Sequence, residues 1–235
     1  MIKLFVFLRR RPELTPEGFW QAWNSEHALA NGESRELARR VRRYVQNRAI
    51  VGAAIPEITL SDFDGVDELW FDTIDDLTAA LEEPGTRDRH AARAAALTAP
   101  GGTLALVAEE SVQFDRGFGA VKFIGLSRRA AGFATREEWI RYWIDVHGPL
   151  AHGIEEFTRY YGRYVHNYVV PSELGAGGLD PAFDGIVEEW LESVEAFTRC
   201  LEEPKYLESV RPDEVRFVDF SRSHMLVTEE HVVRA

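Results

Sequence analysis

"FDGVDELW" at residues 63–70 returns as "FDGIVEEW" at 183–190, a displacement of 120 positions. The same displacement carries Thr15 onto Thr135, Trp23 onto Trp143 and His27 onto His147. It also superposes "RYVQN" 43–47 on "RYVHN" 163–167 and "LEEP" 81–84 on "LEEP" 201–204. One inserted residue near the first turn aligns "IKLFVF" 2–7 with "VKFIGL" 121–126, and Arg10 with Arg129. Self-similarity at a fixed offset over most of a chain is the signature of a duplicated structural unit. The unit boundaries fall at 1–117 and 118–235.

Each unit has one pattern. Alternating apolar residues predict a strand at 2–8 and at 121–127. Thr15 and Thr135 then stand as N-caps before acidic first turns. The helices that follow carry Phe19, Trp23 and His27, or Trp139, Trp143 and His147, at i, i+4 and i+8, on one face. Gly148 and Pro149 are expected to end the second of these helices. Further strands are predicted at 42–51 and 162–170, 65–72 and 185–192, and 103–112 and 223–232, with helices at 74–83 and 194–203. The order β-α-β-β-α-β defines an α+β protein made of two ferredoxin-like repeats. Helices cover one face of each sheet, so the bare faces must be buried against each other, as stacked sheets or as one shared barrel. Pockets are expected between each sheet and its helices.

Composition narrows the partners. With 235 residues, 45% of them hydrophobic, the chain can bury a sizeable core. A net charge of −12 repels a phosphate backbone and argues against nucleic acid. No apolar run approaches the ~18 residues of a membrane span. "MIKLFVFLRRR" reads as a strand rather than a secretory leader, because its arginines follow a short apolar core, and a cytoplasmic location is expected. The single cysteine, Cys200, excludes an internal disulfide and reads as a small buried residue. "LGAGGLD" at 174–180 lacks the context of a phosphate-binding loop and reads as a connection able to cover a pocket.

The succession of strand, Arg129, Thr-capped helix, "HGPLA" 147–151, "RYVHN", "FDGIVEEW" and "RPDEVRFVDF" 211–220 resembles the EthD family of the dimeric α/β-barrel superfamily. The resemblance covers both halves, as a fused pair. It implies the barrel fold. It does not choose an activity, since the family includes an accessory protein of ether degradation and fungal dehydratases or decarboxylases of aromatic polyketide pathways. Its terminal D-E-x-x-F pattern is met by Asp213, Glu214 and Phe217. The first unit has Arg93 where the second has Asp213, so the second unit is expected to hold the complete site.

His147 is the candidate acid–base residue. A helix C-terminus raises an imidazole pKa and an apolar pocket lowers it, so the two together keep it near neutrality. Asp213, read as part of an irregular stretch, is the expected orienting carboxylate. Arg129 is read as an anion holder at the strand end, and Tyr164, His166 and Asn167 as substrate contacts on the second strand. Trp143 is read as a wall that stacks on an aromatic substrate. Arg10, Trp23, His27, Tyr44 and Asn47 form the degenerate counterpart. His152, five residues beyond His147, falls on another helix face, so no metal site is expected, and no haem-attachment motif occurs. These residues favour a cofactor-independent lyase or isomerase acting on an aromatic or polyketide-like small molecule. The alternatives are a non-catalytic small-molecule-binding accessory protein and a haem-dependent or cofactor-free oxygenase. A homodimer of the fused pair is compatible with the sequence.

Overall fold

A computed structural model of the protein describes residues 1–25, 35–56, 58, 60–172 and 182–234. The first half runs β1 (Ile2–Arg10), α1 (Pro16–Ser25), α2 (Arg35–Arg40), β2 (Arg43–Ala49), β3 (Gly65–Phe71), α3 (Ile74–Glu82), α4 (Thr86–Leu97) and β4 (Thr98–Asp115). The second runs β5 (Val121–Ser127), α5 (Arg136–Tyr142), a wide π-type turn (Trp143–His147), α6 (Gly148–His152) and α7 (Glu155–Thr158). It continues through β6 (Tyr161–Val169), β7 (Gly185–Leu191), α8 (Val194–Leu201), a second π-type turn (Tyr206–Val210), α9 (Arg211–Phe217) and β8 (His224–Arg234).

Of the two ways to bury the bare sheet faces, the chain uses the barrel. The strands close in the order β1-β3-β2-β8-β5-β7-β6-β4, every pair antiparallel. Each half therefore supplies four neighbouring strands in the local order fourth, first, third, second. β4 is longer than its predicted 103–112 because it serves both halves, pairing with β1 as far as Glu109 and with β6 from Ala108 to Asp115. Helix α4 falls on an alanine-rich stretch of high intrinsic helix propensity that the repeat pattern alone does not mark.

The duplicated F-D-G motif has a physical account at each residue. Phe63 and Phe183 pack on the apolar cluster inside the barrel with Phe5, Phe7 and Ile186. Asp64 accepts the Arg10 backbone N–H at 2.8 Å and the guanidinium Nε at 2.9 Å, tying off the end of β1. Asp184 does the same for Arg129, whose backbone N–H lies at 2.8 Å and whose guanidinium pairs with it. The glycines make room for indoles. A Cβ on Gly65 would come within 2.3 Å of the Trp23 ring, and one on Gly185 within 2.4 Å of Trp143.

Beyond its apolar part, the barrel interior is ionic. Lys122 lies 2.6 Å from Glu68 and 2.5 Å from Glu188, and all three side chains are essentially inaccessible. Lys3, from the other half, is paired with Glu188 and lies 3.2 Å from Glu110. Asn167 donates to Glu188 at 2.8 Å, while Asn47 donates to the Val66 carbonyl at 3.2 Å. Both asparagines, read from the sequence as site residues, are thus barrel-interior groups. Two ammonium groups face more carboxylates than they can neutralise. Glu188, close to both, is held well below the usual carboxylate range, while burial and the neighbouring Glu188 push Glu68 up to about 7.

Thr135 opens α5 with the predicted cap: its hydroxyl accepts the Glu138 N–H at 3.1 Å, and the Glu138 carboxylate accepts the Thr135 N–H at 3.3 Å. Replacing Thr135 by alanine is expected to cost about 1 kcal/mol of unfolding free energy. The measurement is the urea midpoint at unchanged slope, and a midpoint equal to that of the parent protein would contradict it.

Candidate functional site

A cavity of about 640 Å³ lies between the outer face of the second-half sheet and its helices. Val187 and Glu189 of β7, Tyr164 of β6 and Met225 of β8 form its floor, and Trp143, His147, Phe197 and Phe217 stand around it. Pro56 and Ile58, from the first-half loop after β2, complete the wall, and Leu60 of that loop bridges to Met225. The first half thus helps to close the second half's cavity.

His147 does not end a helix. The Gly148 N–H bonds back to the Trp143 carbonyl, five residues earlier, and α6 carries the chain on to His152. The wide turn shifts the bonding register by one residue just ahead of Pro149, which has no N–H to contribute. The expected stop at Gly148-Pro149 is therefore absent, and with it the dipole that would have raised the imidazole pKa. Burial dominates and lowers it, opposed by Asp213. His147 is only 4% exposed, and its Nδ1 lies 3.0 Å from Asp213 Oδ2. The Tyr142 hydroxyl donates to the other oxygen of Asp213. Asp213 itself stands in α9 rather than in an irregular stretch, because Pro212 is tolerated in a first helical turn, where its missing N–H is no loss.

The other predicted residues divide. Trp143 and Tyr164 line the cavity. His166 is buried behind Trp143, ring centroids 4.4 Å apart, and does not line it. Its pKa is pushed well below the ordinary value by burial and by the two nearby histidines. His152, set aside from the sequence as lying on another helix face, sits in this group, its ring 5.6 Å from His166 and 5.3 Å from Tyr164. Among the described residues no group of three or more His, Cys, Asp or Glu is placed to hold a metal ion. Arg129 is not a cavity residue; it is consumed by Asp184, which Arg136 also approaches at 3.1 Å. Cys200 is buried, its Sγ 3.4 Å from the Tyr161 hydroxyl.

In the first half the counterparts of Trp143, Tyr164 and Val187, which are Trp23, Tyr44 and Asp67, are buried and bonded to one another. The Trp23 indole N–H lies 3.1 and 3.2 Å from the two Asp67 oxygens, the Tyr44 hydroxyl donates to Asp67 at 2.7 Å, and Arg93 approaches it at 3.4 Å. Arg93, the counterpart of Asp213, here neutralises a carboxylate buried under an indole. Arg10 is held by Asp64, as Arg129 is by Asp184. His27 and the 174–180 connection lie outside the described residues.

Two of the cavity's carboxyls, Glu189 and Glu214, were not read from the sequence as site residues. Glu189 is 7% exposed and Glu214 follows Asp213 in α9. The Tyr206 hydroxyl donates to Glu214 at 2.8 Å, and Arg211 lies 3.2 Å from it. Burial and the Glu214 charge push the Glu189 carboxyl up to about 8. The repeat held the signal: the displacement of 120 sets Glu189 on Leu69 and Glu214 on Ala94. Leu69/Glu189 is one of three differences between the two strand motifs, beside Val66/Ile186 and Asp67/Val187.

Comparison with known proteins adds three findings. The model of the EthD domain matches residues 11–101 and 134–221. The chain is similar to the conidial pigment biosynthesis dehydratase EthD of Metarhizium robertsii, 33% identical over 93 residues, covering 37% of this chain and 66% of that protein, just under two thirds of its length. Among solved structures it resembles an anthrone oxidase-like protein (TM-score 0.63, 9% identity, 98% of this chain and 91% of that one). It also resembles a putative monooxygenase from Lactobacillus acidophilus (TM-score 0.55, 9% identity, 99% and 95% covered). At such identities these structures speak for the fold alone.

Proposed function

The chain belongs to the EthD domain family, and from that membership we propose that it is a lyase-type enzyme that dehydrates an aromatic or polyketide-like hydroxy ketone in the second-half cavity. The barrel is then a fused pair of ferredoxin-like units, residues 1–117 and 118–235, of which only the second keeps a working site. The observation that carries this reading is the His147–Asp213 couple, 3.0 Å apart, at the wall of a cavity whose lining includes eight Phe, Tyr and Trp side chains. The relative named as a pigment-biosynthesis dehydratase is in keeping with water loss as the reaction.

The chemistry follows from the protonation states. Asp213 accepts the Nδ1 proton and leaves the Nε2 lone pair of a neutral imidazole as the base. Burial keeps His147 neutral at pH 7, so it takes the proton on the carbon next to the substrate carbonyl. Burial also holds the Tyr164 phenol protonated, able to donate to the developing enolate oxygen. Trp143 and Phe217 offer faces to a flat ring system. Assistance of this kind contributes typically ~10²–10⁴-fold, sufficient for elimination from an already acidic carbon.

The test is turnover of fused-ring β-hydroxy ketones by the purified protein, followed by the absorbance of the new conjugated double bond and the mass of water lost. Binding without turnover would leave an accessory, carrier role in its place. Arg129 enters no step. Its replacement by alanine is expected to cost roughly 1–2 kcal/mol of stability through the bond lost to buried Asp184. It should leave kcat within about threefold, which for 1.4 kcal/mol per tenfold is a small barrier change. A collapse of kcat at unchanged stability would return Arg129 to the site.

A further inference from the structure

We infer that Glu189 is the second catalytic residue of this cavity, the donor that protonates the substrate oxygen as it leaves. The inference rests on the dehydration reading and goes beyond it by naming the acid. Its first support is the internal comparison. Leu69, the counterpart of Glu189, packs in the first half's apolar cluster with Leu37 and Leu77. A carboxyl at such a position loses hydration and gains no packing. Its presence in one copy, at the floor of the cavity that His147 lines, is explained by chemistry rather than by folding.

The second support is placement. Glu189 lies on β7 in register with Tyr164 of β6 on one side and Phe123 of β5 on the other. Both it and His147 line the cavity, from the sheet floor and the helical wall respectively. The titratable groups facing it are all neutral or acidic. They are Tyr161 and Tyr164 from β6, Cys200 from α8, and Tyr206 and Glu214 from the last helical run. Glu214 has the Tyr206 hydroxyl and the Arg211 guanidinium to support a charge; Glu189 has no cation among these neighbours. Burial raises the proton affinity of both, but at Glu214 the Tyr206 hydroxyl and the Arg211 guanidinium oppose it, whereas Glu189 has only the Tyr161 hydroxyl, so the two carboxyls are differentiated.

The step balances. His147 Nε2 takes the carbon-bound proton, and that electron pair becomes the new double bond. The carbon–oxygen bond at the β position breaks, and the leaving oxygen takes the Glu189 proton and departs as water. Imidazolium and carboxylate then exchange a proton through that water, and both groups are restored. Activity therefore requires neutral His147 and protonated Glu189. It should rise with pH below the ordinary imidazole value and fall as pH passes about 8.

The experiment compares a fused-ring β-hydroxy ketone with its β-acetoxy analogue, whose leaving group needs no proton. Glu189→Gln is expected to lower kcat on the hydroxy ketone on the order of 10²-fold with KM little changed, to spare the acetoxy analogue within about fivefold, and to remove the alkaline limb. His147→Ala should depress both substrates. Glu189→Leu, which installs the first-half residue, should fold at least as well as the parent and match Glu189→Gln in activity. Full activity of the glutamine or leucine variant on the hydroxy ketone, or an equal loss on both substrates, would overturn the assignment of Glu189 while leaving His147 in its role. Full activity of His147→Ala on both would instead overturn the dehydration reading.

Discussion

Asp213→Asn is expected to lower kcat roughly 10²–10⁴-fold while leaving the fold intact. The carboxylate accepts from His147 Nδ1 at 3.0 Å and from the Tyr142 hydroxyl. An asparagine amide of the same shape turns its NH₂ group toward Nδ1 and forces the other tautomer, with the proton on Nε2. The lone pair that should receive the substrate proton then disappears from the cavity. His147→Gln should cost as much, and the double variant little more, because the two groups act as a unit. Turnover, circular dichroism and urea unfolding on the same samples separate the chemical loss from a structural one. If Asp213→Asn keeps more than about a tenth of the parent rate, the couple is not the acid–base apparatus.

Lys122→Met should destabilise the protein by roughly 3–5 kcal/mol, because it strips the closest cation from a buried carboxylate. Lys122 is the near partner of Glu68 at 2.6 Å, whereas Lys3 stands 3.7 Å from that carboxylate. The second half thus neutralises a charge carried by the first, and Lys3 reciprocates with Glu188. Adding Glu68→Leu to Lys122→Met removes the orphaned carboxyl and leaves the Lys3–Glu188 pair in place, so the double variant should recover most of the loss. Urea midpoints at constant slope measure both. A double variant no more stable than the single one would show that the interior charges are not coupled across the barrel.

Much of the architecture was legible because the two halves of the sequence carry similar packing motifs. Trp23 and Trp143 demand Gly65 and Gly185 beneath them, and the end of each first strand demands Asp64 or Asp184. The His147–Asp213 couple was legible from the family pattern, although α9 and not an irregular stretch presents the carboxylate. Arg129 was misread because an arginine in a basic run looks free until its partner, 55 residues away, is placed beside it. His152 was set aside as lying on another helix face from His147, and the wide turn at Trp143–His147, which shifts the bonding register by one residue, was not foreseen.

The sequence alone determined the self-similarity at a displacement of 120, the strand alternation and the capped helices, since these rest on contacts between near neighbours or on one pattern read twice. Only the tertiary structure decided between stacked sheets and a closed barrel, because β2 must meet β8 and β4 must meet β6 across the halves. Only it gathered Glu189, Glu214 and His147 around one cavity, and it bonded Trp23 to buried Asp67 in the first half. The proton affinity of a buried group is set by what closes over it, and those neighbours come from distant parts of the chain.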